Sequence, residues 1–362
     1  MYFTGMRTGT AHLPLHGGKA PAWLFARMVR LAREIMSHLA AEHAPDEILR
    51  RLSDPFWFQA LGCVLGFDWH SSGLTTTTCG AVKEGIKGIE SELGIFACGG
   101  KGGTSRKTPG EIEAAFEHTL AGDPAPLVYA SRLSAKVDSA CVQDGYQLYH
   151  HAFFFSRSGK WCVVQQGMSD ATRMARRYHW LGEGVTCFVD EPHAAVCCDS
   201  RQETMNLVAS ESHDSREHSA ELAARHGEET LEAYRRLPHL ELPRRHPVCV
   251  RDIDPRNLKK ILLKTYESAP RNFEELLGVR GVGPRALRAL ALVSELIYGS
   301  TASTRDPARF SFAHGGKDGI PYPVDRDTYE HTIESLRRAL DRSRVDRSEK
   351  TRAFNRMQRL LD

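Results

Sequence analysis

The sequence has no apolar run approaching the length of a membrane span, and its opening segment, MYFTGMRTGTAHLPLHGGK, lacks the apolar stretch of a secretory leader. Export and membrane insertion are therefore not expected, and the cytoplasm is the expected compartment. The nine cysteines, Cys63, Cys79, Cys98, Cys141, Cys162, Cys187, Cys197, Cys198 and Cys249, include no CxxC pair. That absence removes the spacing of zinc ribbons and redox-active dithiols, and leaves reduced core thiols as the expectation. A strong net charge is missing too: 48 Lys and Arg face 45 Asp and Glu, a formal +3. The P-loop of nucleotide-hydrolysing enzymes is also absent, because in GGKGGTSRKTP Lys101 is followed by Gly102 where that motif needs Ser or Thr.

What is present is enough chain, 362 residues, for two or three domains with buried cores. Apolar residues at helical spacing predict an amphipathic helix over 20–52, and PFWFQALGCVLGF, apolar almost throughout, predicts a buried helix that delivers Asp68, Trp69 and His70 to a loop. Another helix, with Ile86, Ile89 and Leu93, leads to a glycine-rich loop. Between Pro124 and Asp199 the period turns strand-like, in PLVYASRLS, YQLYHHAFFFS, KWCVVQQGM, VTCFVD and AAVCCD, separated by Asp-Gly, Ser-Gly and Gly-Glu-Gly turns. Residues 200–237 read as a charged helical stretch whose His213, His218 and His226 lack metal-ligand spacing, and LPHLELPRRHPVC reads as a proline-rich linker. The expected fold class is α+β: a mixed N-terminal domain with an antiparallel β-meander over 1–199, a helical connector and linker over 200–250, and an all-α DNA-binding domain over 251–362.

That last expectation comes from LLGVRGVGPRALRAL, residues 276–290, where Gly281-Val282-Gly283 lies between two helical patterns and matches a helix-hairpin-helix element. Such an element binds a nucleic-acid backbone. Its glycines let main-chain amides approach phosphate oxygens, the following helix presents its positive end, and Pro284 suits a first helical turn. Arg280, Arg285 and Arg288 supply cations beside the turn. From Arg251 onward, 22 Lys and Arg stand against 16 Asp and Glu, so the basic excess sits in the part of the chain that carries the hairpin. Further cations expected to meet DNA are Lys317, Arg173, Arg176 and Arg177, together with Lys101, Arg106 and Lys107 in the glycine-rich loop, where Thr108 is placed to cap a helix. The final stretch, from Arg337 onward, reads as a basic amphipathic helix able to pack, dimerise or touch phosphate, so a homo-oligomer is an open expectation.

Polar residues that folding alone does not explain cluster in the strand region: Asp138, Asp144, Tyr146, His150, His151, Gln165 and Gln166. Phosphodiester cleavage commonly needs divalent ions held by carboxylates or imidazoles and a positioned water. Asp138, Asp144, His150, His151 and Gln166 are accordingly the candidate catalytic residues, with Asp138, Asp144 and His150 as candidate ligands of Mn²⁺ or Mg²⁺. Successive strand residues face opposite ways, so only one of His150 and His151, and one of Gln165 and Gln166, is expected in a shared site. The favoured function is DNA processing in repair, as a metal-dependent deoxyribonuclease that holds DNA by its backbone. The alternatives are a DNA glycosylase and a non-catalytic DNA-binding scaffold.

Three resemblances bear on this. The strand region loosely resembles the central hairpin of restriction-type nucleases, but Val163-Val164-Gln165-Gln166 stands where those enzymes carry a Glu-x-Lys pair. The hairpin followed by Val324-Asp325-Arg326 resembles helix-hairpin-helix DNA glycosylases; that likeness implies Asp325 as the catalytic carboxylate, and Arg285 in place of a lysine implies a monofunctional enzyme, since arginine forms no Schiff base. Over nearly the whole chain, LPLHGGKAPAWL, DPFWFQALGCVLGFDWHSSG, GGKGGTSRKTP, QDGYQLYHH, VVQQGM and FSFAHGGKDGIPYPVDR resemble the prokaryotic domain-of-unknown-function family 763. That likeness implies one shared architecture with a helix-hairpin-helix near the C-terminus, and no particular chemistry.

Overall fold

The computed structural model describes residues 13–15, 20–68, 70–198, 200–225, 232, 255–308 and 326–358. The chain opens with α1 (Ala22–Glu42), α2 (Pro45–Ser53) and α3 (Pro55–Leu65). The single helix expected over 20–52 is two helices, because Pro45 has no amide to extend α1 and instead opens α2. Asp54 caps α3 by accepting from the Trp57 amide at 2.6 Å. Nearly every side of α3 is apolar and buried, and Gly62 is required within it: a Cβ there would lie 2.6 Å from Leu74 and 2.7 Å from the Thr78 hydroxyl, both on α4 (Gly73–Ile86).

After α5 (Glu90–Leu93) comes β1 (Ile95–Lys101), then α6 (Thr108–His118) and α7 (Ala125–Lys136). The strands that follow are β2 (Val142–Gln143), β3 (Gln147–Ser156), β4 (Trp161–Ser169), β5 (Met174–Leu181), β6 (Ala195–Cys197) and β7 (Met205–Asn206). Helices α8 (His213–Ala224), α9 (Pro255–Ser268), α10 (Phe273–Gly278), α11 (Pro284–Tyr298), α12 (Arg326–Arg342) and α13 (Arg347–Gln358) complete the described chain. Five strands form one antiparallel sheet in the order β1-β3-β4-β5-β6, and β2 pairs with β7. Of the runs expected as strands, YQLYHHAFFFS is β3, KWCVVQQGM is β4 and AAVCCD holds β6, whereas β5, MARRYHWL, was not expected as a strand.

Strand alternation decides what covers each face. Ala152, Phe154, Cys162 and Val164 pack against α1 to α4, and the same cluster takes in Leu336 and Leu340 of α12 and Met357 of α13. Phe153, Phe155, Val163, Tyr178 and Trp180 point the other way, onto Ile112 of α6 and Leu127 and Leu133 of α7. That second cluster runs on through Leu262 and Leu276 to Leu287 and Leu290 of α11. The sheet is thus the middle of three layers, with helices from both ends of the chain on it.

Local expectations failed where a short run fits two periods. PLVYASRLS is helix α7, since Leu127, Val128, Ala130, Ser131, Leu133 and Ser134 recur at helical spacing behind prolines that suit a helix start. VTCFVD has no ladder partner among the described residues: the Val185 amide donates to the Gly182 carbonyl and the Phe188 amide to Glu274 at 3.3 Å. FACGGK, read as the edge of a loop, is the edge strand β1. Gly99 is essential to it, with φ +86° and a hypothetical Cβ only 2.2 Å from the His151 carbonyl oxygen. Thr108 is the first residue of α6 and caps nothing; its hydroxyl donates to the Ser105 carbonyl at 2.7 Å. The eight cysteines among the described residues are all unpaired thiols. Among the described residues no helix is long and apolar enough to cross a membrane.

Candidate functional site

In the hairpin, α10 ends at Gly278 and α11 begins at Pro284. Val282 between them is fully buried, and its amide returns to the Val279 carbonyl at 3.2 Å, so the turn is anchored in the core by one side chain. Gly281 has φ +101°, a conformation that favours glycine. Gly283 does not: its backbone is extended, and it caps α11 without any side chain to do so. Among the described residues nothing accepts from the Gly281 or Gly283 amide, and a Cβ at either would meet no atom within 4 Å. Arg280 and Arg285 are exposed and make no ion pair among the described residues. Arg288 is partly committed, donating to Gln143 Oε1 at 2.7 Å, while Gln143 Nε2 donates to the Pro284 carbonyl at 2.9 Å. The hairpin is therefore braced from behind and open in front.

The strand-region candidates separate onto the two faces of the sheet. On the α7 side, Ser131 and His151 Nε2 lie 2.9 Å apart, His151 Nδ1 and Gln165 Oε1 2.8 Å, and Gln165 Nε2 donates to Asp138 Oδ2 at 2.5 Å. Asp138 Oδ2 also accepts from Trp180 Nε1 at 3.0 Å, and Oδ1 meets His193 Nε2 at 2.5 Å. A π-helical turn over Val137–Cys141 places Asp138 for this. Burial lowers the pKa of His151 against the pull of Gln165 and Asp138, so it is neutral at neutral pH.

On the α4 side lie His150 and Gln166, paired across β3 and β4 beside a bulge that makes Tyr149 the extra residue. Gln166 is saturated: it accepts from the Thr75 hydroxyl and donates to the Ser72 carbonyl at 2.8 Å and to the Tyr149 hydroxyl at 2.5 Å. Thr75 also accepts from Arg177 Nε at 2.8 Å. Among the described residues His150 has no hydrogen-bond partner on either ring nitrogen, and burial beside His151, Lys101 and Arg177 pushes its pKa down to about 3.

Asp144 belongs to a different structure again. Its carboxylate accepts from the Tyr146 amide at 3.0 Å, the Tyr178 hydroxyl at 2.7 Å and Arg176 Nη1 at 2.9 Å. Arg176 also donates to Asp306 at 2.8 Å and to the Ser200 carbonyl at 3.0 Å, and its ring-facing side lies over Tyr146. Burial works against the Arg176 charge, but Asp144, Tyr178 and Asp306 together raise its pKa above the ordinary value.

Asp138, Asp144 and His150 are thus not brought together as one ligand set. His150 faces away from Asp138, and both carboxylates are filled by protein donors. Among the described residues the one group of three whose ligand atoms fall within 4.8 Å is His213, Asp214 and Glu217, all exposed on α8, with His213 already 3.3 Å from Glu217. Arg176 and Arg177 are fully buried and are structural, not surface phosphate contacts. Lys101, Arg106, Lys107 and Arg173 remain exposed. Lys317 and Asp325 lie outside the described residues. The sequence reading missed His193 and Ser131, neither of which stands in a motif of its own.

No curated protein and no solved structure matches this chain. The family model described as "Protein of unknown function (DUF763)" matches residues 9–324, and the chain belongs to that family.

Proposed function

We propose that this protein binds the backbone of DNA, without reading sequence, through the hairpin Arg280 to Arg285. The observation that carries the reading is the pair of unbonded amides at Gly281 and Gly283, standing in open space at the amino end of a fifteen-residue helix between two unpaired arginines. A phosphate placed there meets two amides, the positive end of α11 and two guanidinium groups.

The test is duplex binding by fluorescence anisotropy over a salt series. Arg280→Glu and Arg285→Glu should each weaken binding about tenfold at low salt and flatten the salt dependence by about one ion per lost contact, equally for unrelated sequences. Gly283→Asp is the sharper variant. Its backbone is compatible with any residue and aspartate is a favoured helix cap, so the fold should hold or gain about 0.5 kcal/mol while the carboxylate occupies the amides and repels phosphate. Retained binding in Gly283→Asp would show that DNA meets another surface.

A second reading, phosphodiester cleavage, is favoured by the contact between Asp138 and His193. A buried carboxylate steadied by Trp180 and Gln165 holds the imidazole in one orientation, as a positioned proton acceptor requires. End-labelled single-stranded, duplex and flap DNA incubated with Mn²⁺, Mg²⁺ or EDTA tests it. Ion-dependent cutting lost in His193→Ala supports a nuclease; binding without cutting in every condition leaves a non-catalytic DNA-binding module.

A further inference from the structure

His150 is only 1 % exposed, yet among the described residues neither ring nitrogen has a hydrogen-bond partner. Buried polar groups are normally paired, so two orphan nitrogens on one imidazole mark a place where a partner is due. The surroundings say what kind. In register across the sheet, His150 stands between Lys101 of β1 and Gln166 of β4, with Arg177 next on β5. These side chains share the face that packs on α4, since Ala152 and Phe154, two and four residues on from His150, do so. Lys101 is exposed, makes no ion pair among the described residues, and holds its ammonium 5.7 Å over the Tyr149 ring. Arg177 is buried behind, donating to the neutral oxygens of Thr75 and Gln59 at 2.8 and 2.9 Å.

The amino end of α4 points at the same place. Gln166 reaches both Ser72 and Thr75 there; the Gly73 amide donates to the Ser71 hydroxyl at 3.1 Å and the Leu74 amide to the Ser71 carbonyl at 3.2 Å, so this helix end contributes its positive dipole rather than open amides. Two cations, a helix amino terminus, a phenol and an imidazole are a set of donors, which would repel a metal ion and suits an oxyanion. Among oxyanions a phosphoryl group has enough oxygens to meet donors arriving from the strand, the helix and the lysine at once.

We propose that this end of the sheet binds a phosphate monoester, with His150 donating from one ring nitrogen, Lys101 closing the mouth, and Arg177 and α4 supplying positive potential behind. The group can come from the terminal phosphate of a nucleic acid or from a small soluble phosphate. The site does not depend on the hairpin.

Calorimetry on the full chain tests it, with inorganic phosphate, the 5′-phosphorylated thymidine dinucleotide and the same dinucleotide without its phosphate as probes. Inorganic phosphate should bind, and Lys101→Met, an exposed position that leaves the fold intact, should weaken it about tenfold, equivalent to 1.4 kcal/mol. His150→Gln should weaken it similarly, and Gly283→Asp should leave it unchanged. Tighter binding of the phosphorylated dinucleotide than of phosphate, with none of the unphosphorylated one, identifies nucleic-acid ends as the source; binding of phosphate alone identifies a soluble phosphate. Failure of phosphate and of the phosphorylated dinucleotide to bind the wild type at millimolar concentration overturns the proposal. So does unchanged affinity in Lys101→Met.

Discussion

Asp144→Ala is expected to cost the fold about 3–5 kcal/mol, a large part of the stability of an ordinary domain. The carboxylate sits fully buried against an equally buried guanidinium, and its removal leaves Arg176 with the Asp306 carboxylate and the Ser200 carbonyl while the Tyr178 hydroxyl and Tyr146 amide lose their acceptor. Because Asp306 lies after the hairpin and Asp144 before β3, the network ties the segment beyond α11 to the centre of the sheet. Urea unfolding followed by near-ultraviolet circular dichroism measures the loss. A change below 1 kcal/mol would mean the pair contributes little. The same result bears on any nuclease assay: loss of cutting in Asp144→Ala reports unfolding unless stability is measured beside it, whereas His193→Ala leaves this network whole.

The second large effect is on acid stability. His150, His151 and His179 are each held neutral by burial, their pKa values lowered from 6.5, His150 to about 3. In the unfolded chain each regains its ordinary value and takes up a proton first as pH falls. Their contribution is therefore complete above pH 6.5 and is lost as pH drops toward the folded values, at up to about 1.4 kcal/mol per pH unit for each histidine. The urea midpoint should fall between pH 6.5 and pH 4.5, and His150→Gln should make that fall shallower. A midpoint that does not move over this range, or a slope unchanged in His150→Gln, contradicts the assignment of buried neutral histidines.

Much of the architecture could be read from the residues because burial has a period. Phe153, Phe154 and Phe155 alternate between two covered faces, and the Gly281-Val282-Gly283 turn declares itself by glycines at positions where the chain reverses. What was hidden in β1 is that a glycine pair can lie in an edge strand when another backbone approaches closely, as His151 does at Gly99. In α7 a run of nine residues fits strand and helix alternation equally, and only packing against Phe153 and Val163 decides. The polar residues were legible as a set but not as a site. Strand alternation predicted that His150 and His151 part company, and they do; it could not say that Asp138 would choose His193, 55 residues further on, or that Arg176 and Arg177, read as surface cations, would be drawn inside by Asp144 and by Thr75.

Contact between phosphate and the hairpin amides can be seen in proton–nitrogen correlation spectra of the full chain labelled on glycine, recorded with and without a short duplex. The Gly283→Asp protein identifies the Gly283 signal by its absence. The Gly281 and Gly283 amides should shift downfield on adding duplex, as new hydrogen bonds to phosphate require, and the Gly283→Asp protein should show no duplex-dependent shift at Gly281. Duplex that moves other glycines while these two stay in place would contradict that contact.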